Sequence, residues 1–241
     1  MKNSAKKVIV IGGVALMVGA TLPQQINALE CTNMDTDIQI VIRPGEFPSK
    51  SGKRLTGIKE DFDINCPIRW DKETGYHIEE YDLNYMISSK IVNYLEKKGV
   101  NVILLETENK SQDLNSAGRR AKQYNAPIYL SIHNNSYSST SEGYFAMVNP
   151  NDSVSAEFAK DITNALTSNP MLIPKKENRL NTGYIGEMNV KPGTKINCLL
   201  EMSFALSNPN EAKKVVNEKQ LDFYAKTIGD ELIKALREIN D

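Results

Sequence analysis

Histidine is scarce in this chain, with 2 in 241 residues. A site that needs imidazole, for a metal or for proton transfer, is therefore confined to His77 and His133. No long basic run and no RNA-binding signature is present, and the formal net charge is −1, so nucleic acid is set aside as a partner. No internal repeat appears, which excludes a solenoid or other repeat array. No apolar run reaches the ~20 residues of a comfortable membrane span. The longest, Val8–Leu22, follows Lys2, Lys6 and Lys7 and is broken by Pro23. That pattern predicts a secretion signal over 1–28, cleaved after Ala28, with an uncleaved N-terminal anchor as the alternative and the sole route to a membrane. Residues 29–36 form a short linker, and 37–241 one exported domain that works outside the cytoplasmic membrane.

Cysteine is nearly as rare. Cys31, Cys66 and Cys198 show no zinc-finger spacing. Their odd number leaves at least one thiol unpaired unless it bonds to another chain. Cys198 lies in an apolar run and is expected in the core, while Cys31 and Cys66 are free to pair or not. Hydrophobic residues at 40% and charged residues at 24% are ordinary globular values.

Along the chain, strands alternate with helices. Ile38–Ile42 is a β-branched strand stopped by Arg43-Pro44-Gly45. Glu46 to Tyr76 is polar, without a sustained period, and reads as a long loop. Glu79–Lys98 has helical spacing, with Leu83, Met86, Ile87, Ile91, Tyr94 and Leu95 on one face and Gly99 as the C-cap. Further strands are expected at 100–105, 127–132, 142–148 and 196–201. Helices are expected at 113–124, from the Asn151-Asp152-Ser153 cap to about Leu166 with Val154, Phe158, Ile162 and Ala165 inward, from Ser207-Asn208-Pro209, and at 220–239 with Leu221, Tyr224, Ala225, Ile228, Leu232, Ile233 and Leu236 on the core face. The stretch 168–181 reads as irregular. The fold class is α/β: a single domain with a mostly parallel twisted sheet and helices on both faces.

In open α/β sheets the ligand site lies beyond the carboxyl ends of the strands. The first strand runs into Pro44-Gly45-Glu46, the 127–132 strand into His133, and the 196–201 strand into Glu201, while Glu80 opens the helix after the loop. Each residue alone has a plainer account: a strand-end histidine satisfied by its neighbours, a solvated carboxylate, a Glu201 paired with Arg or Lys. Their convergence on one edge points to a site. Trp70 and Tyr76 can stack on a ligand or pin the loop, and Lys53 and Arg54 can meet acidic groups or solvent.

Four stretches carry a resemblance. Ile40-Val41-Ile42-Arg43-Pro44-Gly45, Glu80-Tyr81-Asp82-Leu83-Asn84, Ser131-Ile132-His133-Asn134-Asn135 and the run Leu199-Leu200-Glu201 to Asn208-Pro209 resemble, in order, the motifs of the zinc-dependent N-acetylmuramoyl-L-alanine amidases of family 3. Arg119 or Arg120, with Asn125, is similar to the family's Arg and Asn ahead of the His strand. The resemblance runs from about Asp37 to the C-terminus, and the last two motifs together are its specific part. It implies peptidoglycan as substrate, Glu80 and His133 as zinc ligands, and Glu201 as the catalytic acid–base. In such sites zinc lowers the pKa of water to about 7 and polarises the carbonyl.

One position departs from the pattern. After Pro-Gly the family carries its first metal-binding His, and this chain carries Glu46. Glu46, Glu80 and a neutral His133 bring two negative charges, which cancel a divalent ion and weaken it as a Lewis acid. Two carboxylates also suit another divalent transition metal, such as manganese or iron. Three readings follow: Glu46 is a working ligand, His77 completes the site from a helical position one turn before Glu80, or the domain is a catalytically weak or inactive wall-binding scaffold. The sequence names no regulatory protein.

Overall fold

The structure is a computed structural model that describes residues 38–45, 53–54, 69–71, 75–78, 80–105, 114–134, 143–172, 177–183, 188, 194–203, 215 and 217–241. The expected signal, Cys31, Cys66, Glu46 and the Ser207-Asn208-Pro209 helix lie outside the described residues. Among the described residues no helix is long and apolar enough to cross a membrane.

The first strand, β1 (Ile40–Pro44), is buried at every position. Such a run fits the centre of a parallel sheet, where both faces are covered. It pairs in parallel with β5 (Val102–Leu104) on one side and β6 (Ile128–His133) on the other. β6 pairs in parallel with β9 (Ile196–Ser203). β7 (Gly143–Val148) lies antiparallel to β9 and parallel to the edge strand β8 (Glu177–Thr182). The sheet order is β5-β1-β6-β9-β7-β8. The α/β class with a mostly parallel sheet therefore holds.

Helices cover both faces. α1 (Glu80–Lys97), α3 (Ser153–Ser168) and α4 (Glu218–Glu238) pack on the face that carries Ile40, Ile42, Ile128, Leu130, Ile132, Cys198 and Leu200. α2 (Leu114–Lys122) covers the opposite face, where Ala121 meets Val41 and Tyr129. Each fully buried aliphatic side chain contributes roughly 1.5–3 kcal/mol, so the larger layer supplies most of the stability. α1 buries Leu83, Ile87, Ile91 and Leu95 as its spacing requires, whereas Met86 and Tyr94 are half-buried at the margin. Gly99 takes φ +83°, and its N–H donates to the Glu96 carbonyl while Val100 donates to Leu95, the left-handed helix stop that glycine allows. The Cys198 thiol is fully buried, with no disulfide partner among the described residues, and burial pushes its pKa up.

Four local expectations change. The 46–76 stretch is not wholly loop: β2 (Lys53–Arg54), β3 (Arg69–Asp71) and β4 (Gly75–Ile78) form a separate antiparallel sheet in the order β2-β4-β3. Strands of two to four residues are too short to display an alternating pattern. The 168–181 stretch contains most of β8, a polar edge strand whose partner β7 supplies the pairing that composition does not announce. Val154, expected inward, is 49% exposed. Ser155 takes the inward place instead, because its hydroxyl accepts from the Asn197 N–H at 2.8 Å and donates to Asp152 at 2.8 Å. On α4, Leu221, Tyr224, Ala225, Ile228, Leu232 and Leu236 are buried as expected, but Ile233 is half-buried and Gly229 and Ala235 complete the face.

Candidate active site

Because β1, β6 and β9 run parallel, their carboxyl ends share one edge of the sheet. His133 closes β6 and stands in register with Glu201 on β9. Paired positions on adjacent strands project to the same face, so imidazole and carboxylate are neighbours on the face that also carries Ser131. Glu80 arrives from outside the sheet as the first residue of α1. Its Oε1 lies 3.6 Å from Nδ1 of His133, with the two side chains 10% and 7% exposed. That separation exceeds a hydrogen bond. The two groups are held side by side, and the Asn134 main-chain N–H donates to the same Oε1 at 3.3 Å.

The local packing explains the glycine after Pro44. A methyl group on Gly45 would stand 2.4 Å from Cδ2 and Nε2 of the His133 ring, so the ring lies directly against bare backbone. Gly45 N–H donates to the Ile132 carbonyl at 2.7 Å, which continues the β1–β6 ladder past the strand end. Its carbonyl accepts from Asn84 Nδ2 at 3.0 Å, and Asn84 Oδ1 accepts from Asn134 Nδ2 at 2.8 Å. Next to this cluster Arg43 is fully buried, with Nη1 3.4 Å from the Ser131 hydroxyl. Glu201 is 7% exposed, and Phe145 of β7 is its register partner on the other side.

Of the residues expected to form the site, Glu80, His133 and Glu201 thus meet at one edge. Glu46 follows Gly45 directly but lies outside the described residues, and among the described residues no three His, Cys, Asp or Glu side chains gather as a metal cluster. The helical placement of His77 is corrected: its backbone belongs to β4, paired with Arg54 and Arg69, so it does not share a helix face with Glu80. The Tyr76-His77 stretch is too short and too polar to declare itself a strand. Arg119, Arg120 and Asn125 occupy the end of α2 and the turn before β6, at the end of β6 remote from His133. Asn125 takes φ 48°, a conformation asparagine tolerates. Sequence reading gave no role to Asn84, Asn134 or the buried Arg43. Only the spacing of Asn84 four residues after Glu80, on one helix face, could have singled it out.

Residues 40–234 match the family of N-acetylmuramoyl-L-alanine amidases. The chain belongs to this amidase family. Solved structures agree on the fold. The crystal structure of N-acetylmuramoyl-L-alanine amidase from Clostridium difficile 630 is similar at TM-score 0.59 and 19% identity, covering 84% of this chain and 98% of that one. The CwlD amidase from Clostridioides difficile, solved in complex with the GerS lipoprotein, gives TM-score 0.60 and 19% identity over 83% and 99% of the two chains. The amidase Ami1 from Mycobacterium smegmatis gives TM-score 0.61 at 14% identity over 83% and 97%. Among curated protein sequences none matches. The strand-end histidine, the helix-opening glutamate and the second glutamate across the ladder all lie within the part of the chain that matches the amidase family.

Proposed function

We propose that this amidase hydrolyses the amide between the lactyl group of N-acetylmuramic acid and L-alanine in peptidoglycan, with a divalent cation held by Glu46, Glu80 and His133 and with Glu201 as acid–base. The observation that carries it is the 3.6 Å approach of Glu80 to His133, beside a glutamate in register with that histidine. Donors about 2.0–2.2 Å from a tetrahedral zinc stand roughly 3.3–3.6 Å apart, so the pair fits the group. The cation supplies Lewis-acid chemistry, polarising a carbonyl and acidifying water. The rest falls to the chain. Glu201, partly desolvated on its strand, takes a proton from the attacking water as oxygen bonds to the carbonyl carbon. It passes that proton to the alanine nitrogen as the C–N bond breaks, leaving a carboxylate on the lactyl group and a free amine on the stem peptide. The main-chain N–H of Asn134 restrains Glu80, and bare backbone at Gly45 restrains His133.

The charge of Glu46 favours a second reading, a wall-binding domain with weak or no turnover. Digestion of purified peptidoglycan separates the two. Free N-terminal L-alanine should appear with the wild type in zinc or manganese and be lost with Glu201→Gln; no product with any divalent metal sinks the hydrolase reading. A wall substrate fits an exported protein, as the N-terminal signal pattern suggests. CwlD was solved with a lipoprotein, and a lipoprotein is a partner to seek here.

A further inference from the structure

Asn84 and Asn134 are both fully buried and both neutral, and they join the three chain segments that present the candidate donors. Their orientations are not interchangeable. The Gly45 carbonyl can only accept, so Asn84 must offer Nδ2 to it. Asn84 Oδ1 then faces Asn134, which must offer its own Nδ2. Turning either amide end for end would set oxygen against oxygen. The chain of donors ends at Asn134 Oδ1, a buried acceptor with no hydrogen-bond partner among the described residues. Such an atom is costly to bury, and the cost is tolerated next to Glu80 and His133.

Each link reaches a candidate donor. The carbonyl held by Asn84 belongs to the peptide bond from which Glu46 follows. The backbone of the same glycine is what the His133 ring lies on. Asn134 follows His133 directly and gives its main-chain N–H to Glu80. Asn84 sits one helical turn after Glu80.

We propose that Asn84, acting with Asn134, is a positioning residue of this site: the two amides lock the Gly45 peptide and thereby hold the His133 ring against Glu80. The proposal deepens the amidase reading and rests on Glu80 and His133 as donors to one cation. Residues that orient metal ligands from behind change affinity by about 10–100-fold when lost.

The test uses the full chain with Asn84→Ala, and with Asn134→Ala as the second variant should the first not fold. Ser88→Ala serves as control, since Ser88 is also fully buried on α1, one turn further along. Amide hydrogen exchange of the metal-free protein reads the lock itself. Asn84→Ala should speed exchange at the hydrogen-bonded Gly45 and Asn134 amides about tenfold or more, with the α1 amides of Ile87 and Ile91 unchanged. Zinc titration should then show affinity about 10–100-fold weaker than wild type, with the control at the wild-type value. Unchanged exchange at Gly45 and Asn134, or a uniform rise over the whole core, overturns the proposal. A wild type that binds no zinc counts against the cation reading instead, and the exchange measurement still decides whether the amides lock the peptide.

Discussion

Gly45→Ala is the sharpest perturbation the site offers. The added carbon would lie 2.4 Å from two atoms of the His133 ring, where ordinary van der Waals contact begins near 3.4 Å. Ring and backbone must therefore separate by about 1 Å. The backbone cannot give easily, because Gly45 N–H is bound to Ile132 at 2.7 Å and its carbonyl to Asn84 at 3.0 Å. The glycine is not in the left-handed region, Gly99 being the positive-φ glycine among the described residues, so the effect is steric and not conformational. The imidazole is the part that moves, and it moves relative to Glu80. A 1 Å misplacement of a catalytic group costs about 100-fold in rate, and overpacking of this kind costs about 1–3 kcal/mol of stability. The expected result is a folded protein with less bound zinc and with peptidoglycan hydrolysis reduced about 100-fold. The assays are metal analysis of the purified protein, release of N-terminal L-alanine, and thermal unfolding of the metal-free chain. Wild-type zinc content and rate in a folded Gly45→Ala protein would refute the packing argument.

Other outcomes follow from the same structure. Glu201→Gln should keep the fold and the bound metal but lower hydrolysis by about 100–10,000-fold; comparable rates would remove Glu201 from the reaction. Cys198 should resist a thiol reagent until the protein unfolds, since the thiol is fully buried and its pKa is pushed up; rapid labelling of the native protein at that residue would contradict the packing of β9. Gly229→Ala should destabilise by about 1–3 kcal/mol despite better helix propensity, because the new methyl would stand 2.4 Å from Cδ1 of Tyr94 where α4 crosses α1; urea unfolding reads it, and a gain in stability would show that Tyr94 yields freely. Burial pushes the Tyr144 phenol from 10.0 to about 12, against the hydroxyl of Tyr224 3.0 Å away. Below pH 10 this has no effect. Above it the unfolded chain ionises while the folded one stays neutral, so stability should fall as pH rises from about 10 to about 12, by roughly 2–3 kcal/mol in all. Tyr144→Phe should flatten that fall, and identical slopes would refute it.

The legible parts of this protein were those with strong local patterns. β1 and β6 read directly as apolar runs that had to be covered on both faces, and α1 and α4 as amphipathic helices, the first with a glycine stop. β8 and the β2-β4-β3 sheet were hidden because their pairing energy comes from a neighbouring backbone and leaves no period in short polar stretches. Val154 misled because hydrophobic spacing ignores a hydroxyl that two other groups require, as Ser155 does.

Chemistry divided in the same way. Composition and order along the chain were enough to nominate Glu80, His133 and Glu201, since only a few strand and helix ends carry groups able to bind metal or move protons. Their meeting was a matter of strand order. β6 lies between β1 and β9, and parallel pairing sets His133 level with Glu201 across a ladder that spans 68 residues of sequence. The two buried amides, and the glycine that must stay bare, have no signature in one dimension. Hydrogen-bond direction and atomic volume act only between groups already brought together, so those constraints exist only in the folded chain.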